Sequence, residues 1–225
     1  SRADPESHPM SLSTVLQTAR SGMAAAEANV RASSNNLANA QTAGFKASRP
    51  AFATLTPTSG ASGGNALQIG RGVRIVGVAR DLTQGAIVPS VNPLSLALHG
   101  DGLYMVAGQS EEPLFTRAGQ FQLNGRGEIV TPTGERLLGY GVDAQFRIDD
   151  SGLTPLAIPL GSTIAGMDGS PVTMTGYAIT ENGVVEGRYA DGIVRTPRRN
   201  RTATFHNPGG LVGAGDTLWA GGVNA

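Results

Sequence analysis

The chain contains no cysteine. That excludes disulfide frameworks, Cys-ligated zinc, iron–sulfur clusters and thiol catalysis. No apolar run reaches the length of about 18 residues that a membrane-spanning helix needs. The opening stretch, Ser1 to Ser13, lacks a basic region followed by an apolar core, so no cleaved secretory signal is expected. Charge is sparse: 15% of residues are charged, against about 25% in an ordinary soluble domain. Seventeen Lys and Arg balance seventeen Asp and Glu. A zero formal charge argues against a chain-wide attraction to nucleic acid or anionic membrane, though it leaves room for a local patch.

Chemistry-bearing motifs are absent too. There is no GxxxxGK[ST] loop, no HExxH pair and no GxSxG elbow. Gly70-Arg71-Gly72 and Gly213-Ala214-Gly215 lack the third glycine and the following helix of a dinucleotide fingerprint. The three histidines, His8, His99 and His206, are far apart and form no metal-ligating spacing. The adjacent carboxylates Glu111-Glu112 and Asp149-Asp150 point to opposite faces if they lie on strands, so neither pair makes a catalytic dyad by itself. Arg198-Arg199-Asn200-Arg201 is the one dense basic run, and a solvated turn or charged edge strand explains it. The expectation is therefore a chain that is not an enzyme, with no catalytic, cofactor or metal residues.

What is present falls into two styles. Residues 1–9 form a polar tail set aside from the fold. From Met10 to about Ala40 there is one glycine, no proline, and many good helix formers. Leu12, Leu16, Ala19, Met23, Ala26, Val30, Ser33, Leu37 and Ala40 follow a 4–3 spacing, the seam of a helix that packs against another helix. A helix of ~28 residues runs about 42 Å and cannot bury such a seam on itself. Nothing else in the sequence offers a second long helix. Gly44 is a plausible end point for the helix, which makes residues 10–45 a helix and turn.

Residues 46–66, with Pro50, Pro57, Gly60, Gly63 and Gly64, are expected to be a linker or extended segment. From residue 67 to 225 the pattern is β. Phe121 and Leu123 lead into Asn124-Gly125-Arg126-Gly127, followed by Ile129 and Val130. Glu181-Asn182-Gly183 and Ala190-Asp191-Gly192 punctuate later apolar runs. Turns at intervals of 8 to 12 residues indicate an antiparallel all-β domain. The fold class expected is mainly β: an antiparallel β domain with one long N-terminal helix. Phe121, Leu123, Tyr140, Phe205 and Trp219 are the expected β core.

The run Asn35 to Lys46, NNLANAQTAGFK, resembles the N-terminal motif of the bacterial flagellar rod and hook protein family. Further segments follow in that family's order: DLTQGAIVPS from Asp81, SVNPLSLALHGDGLYMV from Ser90, FTRAGQFQLNGRGEIVTPTGERLLGYGVD from Phe115, and ATFHNPGGLVGAGDTLWA from Ala203. Departures are mild. Ser95 stands where the family usually has Asp, Leu103 and Tyr104 replace a Phe pair, and Phe115 replaces a frequent Tyr.

The resemblance implies a structural subunit of the flagellar axis, rod or hook, exported through the flagellar type III apparatus. It implies partners that are copies of itself and other rod or hook subunits, without nucleic acid and without membrane insertion. It also implies an assembly interface. Leu12, Leu16, Met23, Val30 and Leu37 would pack helix on helix. Asn35, Asn36, Asn39 and Gly44 would shape the turn, and Phe45 would anchor the chain. Members of the family carry a C-terminal helix that pairs with the first, and this chain stops at Ala225 without it. The alternatives are a secreted, monomeric binding or adhesive β module reusing the fold, and an enzyme acting on cell-wall polymer, for which no carboxylate pair stands out.

Overall fold

A computed structural model of the chain describes residues 12–55, 70–108, 112–142, 148–158, 161, 163–166 and 169–222. The chain divides into two compact units: residues 1–41 with 46–82, and residues 42–45 with 83–225.

The first unit holds one helix, α1 (Leu12–Ala38), and a two-stranded antiparallel ribbon of β1 (Ser48–Thr54) and β2 (Val73–Arg80). The helix has 27 residues, so it spans about 40 Å. Its last turn passes into Asn39 N–H donating to Asn35 O at 3.1 Å and Ala40 N–H to Leu37 O at 3.2 Å. Met10 and Ser11, placed in the helix by the sequence pattern, lie outside the described residues. Part of the stretch expected as a linker, 46–66, is instead a strand. Ser48 to Thr54 runs antiparallel to Val73–Arg80, with a bulge between Ala51 and Phe52. The extended conformation was legible there. The partner was not, because Pro50 and the small residues around it mask an edge strand, the one sheet position that tolerates proline. Residues 56–66 of that stretch lie outside the described residues. Two boundaries move as a result. β2 belongs with the helix rather than with the β domain, and Thr42–Phe45 belongs with the β domain rather than with the helix.

The regular structure described in the second unit is β, apart from one 3-10 turn at Pro208–Gly210. Its strands are β3 (Leu103–Ala107), β4 (Pro113–Thr116), β5 (Gln122–Leu123), β6 (Ile129–Val130), β7 (Arg136–Val142), β8 (Ile148–Pro155), β9 (Thr163–Ala165), β10 (Pro171–Ile179), β11 (Val184–Tyr189), β12 (Val194–Asn200), β13 (Thr202–Ala203), β14 (Val212–Gly215) and β15 (Leu218–Ala220). The sheet order is β14-β15-β4-β3-β7-β12-β11-β10-β9, with β13 on β3, β8 on β7, and β5 reaching β7 through β6. All pairings are antiparallel. Short connections dominate, and several share one design. Asn124–Glu128, Thr131–Glu135, Thr180–Val184 and Tyr189–Ile193 each close a three-residue loop by backbone bonds, with a glycine at the last loop position. Those glycines, such as Gly127 at φ 76° and Gly183 at φ 72°, occupy the left-handed region that this loop type requires. The Asn124-Gly125 dipeptide is therefore not the turn itself. Asn124 instead accepts from the amides of Arg126 and Glu128 at 2.9 and 3.0 Å through its side chain.

The main core gathers Leu94, Tyr104, Val106, Phe121, Ile129, Leu137, Leu156, Ile158, Val185 and their neighbours. Tyr104 meets Phe121 edge to face at 5.2 Å between ring centres. A smaller core joins Phe115, Leu211 and Trp219, with Phe205 packed on Phe115 at 4.7 Å. Leu123 packs against the main core, partly buried. Tyr140 is the exception among the expected core residues. It is half-buried, and its ring lies under the Arg201 guanidinium at 4.9 Å. The basic run that contains Arg201 continues out of β12, which pairs with β7 and β11 and is no sheet edge.

The turn Thr116–Gly119 fastens the irregular segments to this unit. Arg117 donates to the carbonyl oxygens of Leu98 (3.0 Å), Gly100 and Gly102, and to Gln84 Oε1 at 2.6 Å. Gly44 passes so close that a Cβ would sit 2.4 Å from Ala118 N. Gly119 accepts from Leu96 N–H at 2.8 Å, and a Cβ there would fall 1.6 Å from Leu96 O. Gly119→Ala should therefore destabilise the β unit by about 2–3 kcal/mol through forced backbone displacement. Gly125→Ala, with nothing within 4 Å, should be near neutral. Urea unfolding of the two variants checks the contrast.

Candidate assembly surface

The helix carries two stripes. The first is the seam of the sequence pattern, and every residue of it is exposed. Leu12 is 74% exposed, Leu16 61%, Met23 68%, Val30 64% and Leu37 79%. The second stripe is displaced by two residues, about 200° around the helix at 3.6 residues per turn. Thr14, Thr18, Ser21, Ala25, Ala28, Ala32 and Asn36 form it, and all are half-buried. This small-residue face meets the ribbon. The Ser21 hydroxyl donates to Thr18 O at 2.8 Å and accepts from Val73 N–H at 3.2 Å. Gly72, at φ 105°, brings the ribbon backbone so near that a Cβ would lie 2.2 Å from Ser21 Oγ. The far end is fixed by Asn36. Its Nδ2 donates to Ser48 O and its Oδ1 accepts from Ser48 N–H, both at 2.9 Å. The side-chain amide thus pairs with Ser48 as a neighbouring strand residue would.

The remaining candidate residues separate. Asn35 is exposed, and its carbonyl accepts from the Asn39 side chain at 3.0 Å. Asn39 is half-buried against that last helical turn. Gly44 and Phe45 sit in the second unit. There Phe45 is half-buried and its N–H donates to Thr42 O at 3.2 Å. The structure therefore brings Asn36 to the ribbon and Gly44 to the β unit. It leaves Leu12, Leu16, Met23, Val30 and Leu37 together on an open helix face.

No described residue of the first unit is buried. On the ribbon, Ile75, Val76 and Val78 are exposed as well. The sequence pattern missed the second stripe although it keeps a 4–3 spacing from Thr14 to Ala32. Thr, Ser and Ala do not register as apolar, and the signal would have been their shared smallness. It also missed Ile87, Val88 and Val91, which are exposed in an extended stretch of the second unit.

Among the described residues no group of three or more His, Asp or Glu side chains could hold a metal, and His99 and His206 are both exposed. Asp191, held below its usual range by the Arg195 hydrogen bond, braces a hairpin turn. Burial raises the Tyr104 hydroxyl far above its ordinary value, against the opposing Arg117 charge.

Comparison with known proteins places these elements in sequence families. Residues 97–187 match the flagellar hook protein FlgE/F/G D1 domain, and residues 16–46 match the flagella basal body rod protein family. The flagellar basal-body rod protein FlgG of Caulobacter vibrioides is 33% identical over 217 residues, covering 91% of this chain and 72% of that protein. The flagellar hook protein FlgE of Brucella abortus is 28% identical over 207 residues, 92% of this chain and 48% of its own length. FlgE of Salmonella typhimurium is 28% identical over 144 residues, 64% of this chain and 34% of its own. The chain thus spans less than half the length of these hook relatives.

Asn36→Leu keeps the side-chain bulk and removes both bonds to Ser48. The ribbon's attachment should weaken by about 1–2 kcal/mol. Hydrogen exchange at the Ser48 amide should quicken severalfold while amides of β3 and β7 keep their protection.

Proposed function

The chain belongs to the flagellar rod and hook protein family, and from that premise we propose that it is a structural subunit of the bacterial flagellar axis, of the rod type. The observation that carries the proposal is the open seam, Leu12, Leu16, Met23, Val30 and Leu37, on a helix whose opposite face is already occupied. Burying such side chains against a partner helix contributes about 1.5–3 kcal/mol each. A partner helix from another copy, or from another axial subunit, satisfies the seam at the spacing that helix pairs use. Asn36, Asn39 and the ribbon hold the helix in shape, and Gly44 with Phe45 ties its exit to the β unit. The rod type is supported by 33% identity to a rod protein, against 28% to each of the two hook proteins.

The relatives are structural proteins, and on this reading the chain performs no catalysis and needs no cofactor. Passage through the flagellar type III export apparatus belongs to the same reading. A first unit with none of its described residues buried offers little resistance to threading. The reading includes no nucleic-acid partner and no membrane insertion. No described helix is long and apolar enough to cross a membrane.

Leu37→Asp tests the seam. Because Leu37 is exposed, the substitution leaves the fold of the chain unaffected and acts on association, where a buried carboxylate costs several kcal/mol. Rod–hook assemblies purified from cells carrying the variant should lack peptides of this chain by mass spectrometry, with the β unit's thermal transition unchanged. Incorporation at the wild-type level would refute the seam.

A further inference from the structure

The sequence holds two Asn-Gly dipeptides, Asn124-Gly125 and Asn182-Gly183. This dipeptide carries a chemistry of its own. Asparagine is thermolabile, because the backbone nitrogen of the next residue can attack its side-chain carbonyl carbon and expel ammonia. A following glycine, having no Cβ, leaves that nitrogen unshielded. Both dipeptides occur at three-residue hairpin loops of the second unit. Their surroundings separate them.

Asn124 is half-buried and held at both side-chain atoms. Its Oδ1 accepts from the Arg126 and Glu128 amides at 2.9 and 3.0 Å, and its Nδ2 donates to the Glu128 carboxylate at 2.7 Å. Turning its Cγ toward Gly125 N breaks three bonds, one of them charge-assisted. Asn182 stands exposed in the middle of the Thr180–Val184 loop. Among the described residues no hydrogen bond holds its side chain. The restraint there falls on the nucleophile instead, since Gly183 N–H donates to Thr180 O at 2.9 Å. That is one neutral bond at an exposed loop tip, where local opening costs least.

We propose that Asn182 is a self-modifying site, at which the folded chain converts asparagine to aspartate and isoaspartate with water as the only co-reactant. Local opening frees Gly183 N–H, and solvent hydroxide removes its proton. The nitrogen bonds to Asn182 Cγ. The Cγ–Nδ2 bond breaks, and Nδ2 takes a proton from water and leaves as ammonia. A succinimide ring remains, and water then opens it. Breaking the bond from the ring nitrogen to Cγ gives aspartate at position 182. Breaking the bond from that nitrogen to the main-chain carbonyl carbon gives isoaspartate, with the chain rerouted through the side chain.

Either product adds a carboxylate next to Glu181. The isoaspartyl product also lengthens the loop backbone by one carbon. That works against the Thr180–Val184 closure and against the bond from Asn200 N–H to Gly183 O, 2.8 Å in the unmodified chain. The proposal does not rest on the reading of the chain as an axial subunit.

Hydroxylamine tests it, because it attacks the succinimide and cuts the chain between asparagine and glycine. The full chain is treated at mildly alkaline pH, folded and in guanidinium chloride, and the fragments are identified by mass spectrometry. The folded chain should be cut after Asn182 at least about tenfold faster than after Asn124. In guanidinium the two rates should agree within about threefold, since the bonds that restrain both sites are gone. Equal rates in the folded chain, faster cutting after Asn124, or no cutting after Asn182 while the unfolded chain is cut would each overturn the proposal. A preference for Asn182 that persisted in guanidinium would do the same, because local sequence rather than the fold would then select the site. Without hydroxylamine, the folded chain should accumulate isoaspartate at position 182 ahead of position 124, and the reverse order would count against the proposal equally.

Discussion

A single helix laid on a two-stranded ribbon cannot enclose an interior. That constraint governs the first unit. Its contacts are small residues, hydroxyls and one side-chain amide, and none of its described residues is buried. Interactions of this kind align backbone with backbone but remove little apolar area from water. Since burial is the dominant favourable contribution to folding, the unit has a defined shape and a small reserve of stability. Its remaining large apolar side chains, Leu12, Leu16, Met23, Val30 and Leu37 among them, stand exposed.

The second unit has the opposite character. Two cores and short, repeated turns make it self-sufficient, and it receives the irregular chain at one place. Gly44, Gln84, the Leu98–Gly102 loop and Leu96 all meet the four residues Thr116–Gly119. Arg117 supplies the donors there, and Gly44 and Gly119 supply the close approach. The close-packed turn thus gathers several irregular segments of the second unit at one point.

Much of this was legible in the residues. The helix, its seam, the antiparallel character of the rest and the positions of the main turns follow from spacing and from glycine and asparagine placement. Phe121 and Trp219 are where an alternating strand pattern puts core residues. Tyr140 was misplaced because its strand alternation is satisfied equally by a ring lying under Arg201. The β1–β2 ribbon was hidden because its partners are separated by a long Gly- and Ser-rich stretch, and strand pairing across such a gap leaves no local signature. The inner face of the helix escaped for another reason. A contact built from Ser, Thr and Ala is a matter of shape rather than hydrophobicity, and periodicity measured on apolar residues does not see it. Whole-chain charge was equally blind, since residues 1–41 with 46–82 carry +4 by sequence and the rest −4.

The two stripes of the helix leave it little latitude to change. A substitution on one face alters how the ribbon seats, and a substitution on the other alters how a neighbour seats, while only the narrow flanks that hold residues such as Gln17, Glu27 and Arg31 meet water alone. Bulk gained on the inner face, for instance at Ala25 or Ala28, would have to be answered by loss on the ribbon. Over evolutionary time the helix and the ribbon should therefore drift as a pair, and the turns of the β unit should absorb most of the variation that the subunit as a whole can tolerate.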